Sequence, residues 1–429
     1  MNLEESDRLL ARALQVIPLG SQTFSKSHQQ FMRGSCPQFL RKGKGCTVED
    51  VDGNRYIDYV LGLLPIVLGY CDDDVNAAII DQLGRGITFS LPTDLEAELA
   101  ERLVKLIPCA EMVRFGKNGS DATSAAIRLA RAYTGRDRVI SCGYHGWHDW
   151  YIATTSRDLG IPAEVAKLTT AVPYNNPDAV LDVLASDPDG IAALILEPAG
   201  ATEPETDYLQ SLREATARHG VVLIFDEIVT GFRIDIGGAQ SHYAVTPDLA
   251  CFGKAMANGM PISAIVGKSE IMQLMDEIFY SGTFGGEALS LAASIATIDK
   301  LEREDGITRI RNCGRRLIQT VNSSIASHGL DHMLRVTGAE WWPRWQIIGS
   351  AVDGALAVSL LRQAMAENGL LMLSTFNLCL AHDTNEMHDR TLTAVERSLI
   401  TFKAAIEAPD PATHLKGSLV KPTFAVRPS

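Results

Sequence analysis

The sequence predicts an α/β fold in which helices cover both faces of a mostly parallel sheet, accompanied by a smaller α+β unit. The chain has 429 residues, which exceeds one ordinary domain. Between about residues 75 and 320, short apolar runs alternate with helical stretches. Apolar runs without polar interruption are typical of strands that are buried on both faces of a parallel sheet.

The N-terminal part predicts one helix and one hairpin. The helix covers Glu4–Val16 and ends before Pro18 and Gly20. Apolar and polar residues then alternate on both sides of the turn Asp52–Asn54, which is a hairpin pattern.

The central part predicts the helices and strands of the main sheet. The predicted helices are Asp94–Leu106, Ser120–Tyr133 and Tyr208–Arg218. The predicted strands are Met112–Phe115, Arg138–Ser141, Ile191–Leu196, Val221–Phe225, Leu249–Phe252 and Ile262–Val266. Because this alternation loses regularity near residue 320, we predict an N-terminal segment over 1–75 that packs with a C-terminal small domain over 321–429, and a large domain over 76–320.

Composition and charge narrow the class of protein. The 39 Lys and Arg against 52 Asp and Glu give a net charge of −13, which argues against a nucleic-acid partner. No run of about 18 apolar residues is present, so we expect no membrane partner. The acidic start lacks the apolar core of a secretory signal, and the eight cysteines are scattered without a C-x-x-C pair. These features predict a cytoplasmic protein with reduced thiols.

Two charged residues follow predicted strands, where open α/β sheets place their chemistry. Asp226 comes directly after Val221–Phe225, where an acid is costly unless a cation or hydrogen-bond donors meet it. Asp226 and its neighbour Glu227 also fit a helix cap or a buried structural ion pair. Lys254 follows Leu249–Phe252 in an apolar, glycine-bounded stretch, which would lower its pKa and make it a nucleophilic amine. A surface lysine with a buried stem is the simpler alternative.

Two further stretches add weaker signals. Gly119 and Ser120 lie at the start of a predicted helix, where backbone N–H groups form a phosphate site. The run Tyr144–Asp149 contains two histidines and a tryptophan, which suits a platform for a flat cofactor, a metal site or loop packing. A lysine, an acid, an aromatic ring and a phosphate-binding turn are the four groups that pyridoxal phosphate (PLP) requires, so together they predict that cofactor and no metal.

The order of these motifs resembles the class III PLP-dependent aminotransferases, and within them the glutamate-1-semialdehyde 2,1-aminomutase branch. The resemblance runs from about Pro18 to Glu287 and is most specific at Asp226, Glu227 and Lys254. It implies an enzyme of PLP fold type I that works as a homodimer with shared active sites.

The resemblance also implies roles for individual residues. Lys254 would form the Schiff base with PLP and move a proton, and Asp226 would keep the ring nitrogen protonated. Tyr144 and Ile228 would pack on the two ring faces. The other implied cofactor-binding residues are Gly119, Ser120, Glu197 and Thr283, of which Thr283 would reach the phosphate in the neighbouring subunit.

Departures from the aminomutase pattern concern the substrate. Lys26 stands where that branch has an arginine, Leu63 replaces a tryptophan, and Thr202 replaces an asparagine. Asn377 aligns loosely with a late glutamate. A lysine offers charge without the planar fork of arginine, so the first replacement is not conservative. We predict Lys26, His145 and Asn377 as substrate residues.

The leading hypothesis is transfer of an amino group from a small-molecule amine donor to an aldehyde or ketone acceptor, with a sugar-derived acceptor as one option. Three tryptophans and an arginine within Trp341–Trp345 would suit such a ring, although packing in the core or at an interface is the favoured explanation. The alternatives are an intramolecular aminomutase and a catalytically idle regulatory subunit. A nicotinamide dehydrogenase is excluded because no G-x-G-x-x-G follows a strand.

Overall fold

The computed structural model describes residues 1–200, 202–349 and 352–421. The strands are β1 (Leu40–Lys44), β2 (Thr47–Asp50), β3 (Arg55–Asp58), β4 (Met112–Gly116), β5 (Arg138–Cys142), β6 (Thr169–Ala171), β7 (Ile191–Leu196), β8 (Val222–Asp226), β9 (Leu249–Phe252), β10 (Ser263–Gly267), β11 (Leu334–Thr337), β12 (Arg344–Ile347) and β13 (Leu370–Leu371). The α-helices are α1 (Glu4–Leu14), α2 (Asp73–Arg85), α3 (Asp94–Leu106), α4 (Gly119–Thr134), α5 (Asp149–Ile152), α6 (Ala163–Ala166), α7 (Pro177–Ser186), α8 (Tyr208–His219), α9 (Ala239–His242), α10 (Ser269–Met272), α11 (Ala288–Arg303), α12 (Gly306–Ser327), α13 (Gly354–Glu367) and α14 (Asn385–Ile406).

These elements form two compact units. The first contains residues 1–72 and the described residues from 308 onward, and the second contains residues 73–307. The proposed domain roles of 1–75, 76–320 and 321–429 stay predictions, and residues 422–429 lie outside the described part of the chain.

The second unit is built on a seven-stranded sheet in the order β4-β10-β9-β8-β7-β5-β6. Neighbouring strands from β9 to β6 run parallel, whereas β10 is antiparallel to both β4 and β9. The predicted mostly parallel sheet is therefore confirmed, with β10 as the reversed strand. Since β4 and β9 are both antiparallel to β10, they share one direction, and the carboxyl ends of the other six strands lie at one edge.

Burial explains why these runs form the centre of the sheet. All six side chains of β7 and all five of β8 are buried, as expected for strands covered on both faces. Helix α4 presents a face of small residues to the core, including Ala122, Ala126 and Ala130. Small side chains let the helix lie close to the strands, which fixes the position of its first turn.

The first unit holds a four-stranded sheet in the order β1-β2-β3-β13 and the separate β11–β12 hairpin. The predicted hairpin around Asp52–Asn54 is confirmed as the antiparallel pair β2–β3. Trp341 and Trp345 are buried in this unit, so the structure supports core packing for that cluster. No helix in the described part of the chain combines the length and apolarity needed to cross a bilayer.

Candidate active site

The carboxyl edge of the large sheet brings the predicted chemical groups of the second unit to neighbouring strand ends. Asp226 is the last residue of β8, Lys254 follows β9, and Glu197 follows β7. Tyr144 and His145 lie just beyond β5. The pairing order β9-β8-β7-β5 makes these four strand ends consecutive.

Asp226 is a buried carboxylate with two donors. Its Oδ2 atom lies 2.8 Å from Nδ1 of His145, and its Oδ1 atom accepts the backbone N–H of Ile228 at 3.2 Å. A buried carboxylate is tolerated when such donors meet it. The remaining acceptor capacity of Asp226 is available to a group beyond the strand end.

His145 is fully buried, and its ring lies nearly parallel to that of Trp150, with 6.1 Å between centroids. A carboxylate only accepts, so Nδ1 of His145 carries the hydrogen. Its Nε2 atom is buried without a hydrogen-bond partner among the described residues. The predicted substrate role of His145 stays a prediction, while the geometry places this ring directly against Asp226.

Lys254 begins the 3₁₀ turn Lys254–Ala257 with a φ of 40°. This left-handed conformation is uncommon for a residue other than glycine, and such strain concentrates at functional sites. Burial, the largest influence, lowers the pKa of Lys254, although the negative charges of Glu197 and Asp226 act in the opposite direction. A lysine with a lowered pKa carries more neutral amine, which is the nucleophilic form.

The carboxylate of Glu227 accepts hydrogen bonds from more donors of the protein than the carboxylate of its neighbour Asp226 does. It accepts the backbone N–H groups of Ala239 at 2.7 Å and Gln240 at 3.1 Å, together with the hydroxyl of Thr230. Burial raises the pKa of Glu227, while these donors oppose the rise. The capping alternative considered for the acidic pair therefore fits Glu227.

The first turn of α4 is shaped like an anion site. Asn118 and Asp121 form a capping box, and the first N–H groups of an α-helix have no partner within the helix. A Cβ at Gly119 would lie 3.2 Å from side-chain atoms of Ile228, so glycine permits the close packing of this turn. The hydroxyl of Ser120 accepts the N–H of Trp147 at 3.2 Å.

Tyr144 and Thr283 are both exposed in the single chain. The Tyr144 ring meets Tyr151 edge-on with 5.7 Å between centroids. Thr283 lies on the loop before α11 and lines a cavity of about 330 Å³. The base of that loop is anchored where Glu287 pairs with Lys117 at 2.8 Å.

Two predicted substrate residues lie in the first unit. Lys26 is exposed at the end of a short 3₁₀ turn. Asn377 is buried, where its side-chain amide donates to the Val60 carbonyl at 2.8 Å and accepts from the Trp342 indole at 2.7 Å. Their substrate roles stay predictions.

Two glycines that sequence reasoning passed over shape the Tyr144 segment. Gly143 and Gly146 have φ values of 110° and 100°, which disfavour any residue with a Cβ. A Cβ at Gly146 would also collide with Ser120. The signal available in the sequence was the spacing Gly-x-x-Gly around Tyr144 and His145.

The residues present fit PLP. An amine of lowered pKa and a buried carboxylate stand at nearby strand ends, and a helix N-terminus with closely packed glycines suits a phosphate. Among the described residues, no group of three or more His, Cys, Asp or Glu side chains is arranged to hold a metal. The two histidines of the Tyr144–Asp149 run have separate partners, since His148 contacts Ser124 at 2.6 Å.

Comparison with known proteins agrees with this geometry. A family model described as aminotransferase class III matches residues 30–377. The chain is 39% identical over 351 residues to the 3-aminobutyryl-CoA aminotransferase of Cloacimonas acidaminovorans, covering 80% of this chain and 83% of that protein. It is 40% identical over 314 residues to the glutamate-1-semialdehyde 2,1-aminomutase of Methanothermobacter thermautotrophicus, covering 70% and 74%.

Solved structures show the same fold. An omega-transaminase from Sphaerobacter thermophilus superposes with a TM-score of 0.85 at 27% identity, covering 93% of this chain and 98% of that one. The FumI protein of Sphingopyxis sp. MTA144, solved in its PLP internal aldimine form, superposes with a TM-score of 0.87 at 29% identity, covering 96% and 99%. The predicted PLP fold type I and the cofactor are thereby confirmed, and the chain belongs to the class III aminotransferase family of PLP-dependent enzymes.

Proposed function

We propose that this enzyme transfers an amino group from a small-molecule amine donor to an aldehyde or ketone acceptor through a Schiff base on Lys254. The observation that carries this proposal is that Lys254 and Asp226 lie at nearby strand ends. Burial lowers the pKa of Lys254, and the Asp226 carboxylate lies 2.8 Å from the His145 ring nitrogen. An idle regulatory subunit would have no use for a strained, desolvated lysine beside a buried acid.

PLP, when bound, supplies an electron sink that stabilises negative charge at the carbon next to the transferred nitrogen. Asp226 would keep the ring nitrogen protonated, and His145 would orient that carboxylate through its hydrogen bond. Lys254 would move the proton at the reacting carbon, while Tyr144 and Ile228 orient the ring from its two faces. The first turn of α4 would bind the phosphate through Gly119 and Ser120.

Intramolecular transfer is the second candidate, because the chain is 40% identical to a glutamate-1-semialdehyde 2,1-aminomutase. The proposal favours transfer between molecules, since Lys26 lacks the planar fork with which an arginine holds a carboxylate in two bonds. The relative named 3-aminobutyryl-CoA aminotransferase supports the same choice. A sugar-derived acceptor remains one hypothesis within the wider class of aldehydes and ketones.

The proposal includes a homodimer with shared active sites. Several large apolar side chains of the second unit are exposed in the single chain, namely Ile80, Leu83, Phe89, Leu91 and Phe284. Apolar patches of this kind mark contacts between proteins. Thr283, next to Phe284, would then reach the partner's cofactor phosphate.

A cytoplasmic location is proposed from the cysteines, all eight of which are free thiols.

The test is a pair of half-reactions on the purified PLP enzyme. Borohydride reduction followed by peptide mass spectrometry should place the pyridoxyl group on Lys254. Candidate donors, including glutamate, alanine and 3-aminobutyryl-CoA, should convert the cofactor to its amine form with release of a carbonyl product. Aldehydes and ketones, sugar-derived ones included, should then reverse the spectral change. Turnover of glutamate-1-semialdehyde alone, without a separate carbonyl product, would establish the aminomutase instead.

A further inference from the structure

The segment that carries Tyr144 is fixed by side chains from two helices, α4 and α5. The Gly143 carbonyl accepts the Tyr151 hydroxyl at 2.8 Å, and the His145 carbonyl accepts the Thr123 hydroxyl at 2.9 Å. The N–H of Trp147 donates to Ser120 at 3.2 Å. A loop held at so many points keeps one backbone conformation.

Glu197 supplies the remaining contact, at the residue that carries the ring. Its Oε2 atom accepts the backbone N–H of Tyr144 at 2.8 Å. The carboxylate can come this close because residue 143 is glycine, where a Cβ would lie 2.6 Å from the same oxygen. No ion pair involves Glu197 in the described part of the chain, so its charge is not consumed by a fixed cation.

Glu197 is also coupled electrostatically to the lysine site. Burial raises the pKa of Glu197 and Asp226 adds to the rise, while His145, the Tyr144 N–H and Lys254 oppose it. Of the charges that stabilise the ammonium of Lys254, Glu197 exerts the largest effect. The titratable and charged groups that act on this pair are Asp226, His145, Arg233, Cys142, Tyr144, Tyr151 and Tyr174.

We infer that Glu197 is a positioning residue that acts in two separable ways from the edge of the sheet where Asp226 and Lys254 also lie: its carboxylate fixes the backbone of Tyr144, and it places a second negative charge at the same edge as the lysine. The cofactor-binding role that the family resemblance implies for Glu197 stays a prediction beside this inference. It rests on the proposed function, in which Lys254 carries the cofactor and Tyr144 packs on its ring. Glu197 after β7 and Tyr144 after β5 would thereby both act on the cofactor that Lys254 carries after β9.

Two variants separate the actions. Glu197→Gln keeps an oxygen to accept the Tyr144 N–H and removes the charge. Glu197→Ala removes both the charge and the acceptor, so its difference from Glu197→Gln reports the hydrogen bond to Tyr144. Glu203→Gln, at an exposed carboxylate of the same unit, is the matched control. Thermal melting first establishes that each PLP-loaded variant is folded.

The main readout is the pH titration of the visible absorbance of the bound cofactor. We expect the midpoint to move down by about one pH unit in Glu197→Gln, because a nearby opposite charge stabilises a protonated nitrogen by this amount. Glu197→Ala should change the visible circular dichroism of the cofactor, which reports ring orientation, more than Glu197→Gln does, with a similar shift in midpoint. Glu203→Gln should match the wild type in both measurements.

Each outcome bears on one claim. A Glu197→Gln titration that superposes on the wild-type curve overturns the electrostatic action. A Glu197→Ala circular dichroism spectrum identical to that of Glu197→Gln overturns the action on Tyr144. If borohydride fixes the cofactor of the wild type at a residue other than Lys254, the proposed function fails, which the same reduced samples reveal independently.

Discussion

Replacing His145 by phenylalanine tests how much the imidazole supports Asp226. Phenylalanine retains an aromatic ring against Trp150 and Tyr151, whose centroids lie 6.1 Å and 5.2 Å from that of His145. It removes the N–H that Nδ1 donates to Asp226 at 2.8 Å. Asp226 then keeps only the backbone N–H of Ile228 among its described donors.

The magnitude follows from the kind of bond that is lost. A hydrogen bond to a charged group contributes about 1.5–3 kcal/mol, and the carboxylate is buried, so water does not replace the donor. If that stabilisation acts when the ring nitrogen is held protonated, the rate falls about tenfold per 1.4 kcal/mol. We therefore expect His145→Phe to slow amino transfer by about 10- to 100-fold.

The assay is the single-turnover rate at which an amine donor converts the bound cofactor, followed by absorbance. The matched variant is His145→Asn, whose amide nitrogen occupies a place similar to that of Nδ1 and can donate the same bond. It should recover most of the rate. A near-normal rate in His145→Phe would refute the reasoning, and equal losses in both variants would assign the effect to ring packing.

Three further predictions concern other residues. Lys254→Ala should abolish amino transfer and the borohydride-fixed label, whereas Lys167→Ala, at an exposed lysine, should keep both; a persisting label would reassign the nucleophile. Thr283→Ala should increase cofactor loss on dialysis, with the neighbouring Ser281→Ala as control, and equal retention in the two would contradict the contact with the partner's cofactor. Asp248→Asn should lower the unfolding free energy at pH 7 by about 3 kcal/mol, because it leaves Arg213 without its partner at 2.9 Å.

The Asp248 prediction carries a pH dependence. Burial, the largest influence, would raise the pKa of Asp248, but Lys268, the Leu223 N–H and Arg213 together hold it below its usual value. A carboxylate with a lowered pKa stabilises the fold above its unfolded pKa of about 3.9 and loses this contribution as the pH falls. The difference between wild type and variant, measured by denaturant unfolding, should be full above about pH 5 and shrink toward pH 3. A constant difference would contradict the argument.

The central strands of the large sheet, β7 to β10, could be predicted because they are buried on both faces. Ile191–Leu196 and Leu249–Phe252 were predicted with the bounds that the structure gives. Uninterrupted apolar runs of this length have few other stable arrangements in a chain that also contains regular helices. The reversed direction of β10 was not predictable, since burial is the same for a parallel and an antiparallel strand at that position.

The contacts between residues of the site were harder to predict than the charged residues at its strand ends. Asp226 and Lys254 stand out because a charge directly after a buried run must be compensated. The contact of His145 with Asp226 joins residues 81 positions apart, and nothing local in the sequence distinguishes a histidine that supports an acid from one that meets a substrate. The same holds for Glu197 and Tyr144, 53 positions apart.

These two contacts have one geometric cause, which also explains the conformations of the residues around them. In a parallel sheet, residues far apart in sequence meet where their strands end, so a buried acid obtains its donors from the loop of another strand. Loop residues then need conformations that bring their backbones within hydrogen-bond distance, which explains the positive φ of Gly143 beside Glu197. Lys254, which follows β9, also has a positive φ, and the buried strands below it maintain that strained conformation at the edge of the sheet that also holds Asp226 and Glu197.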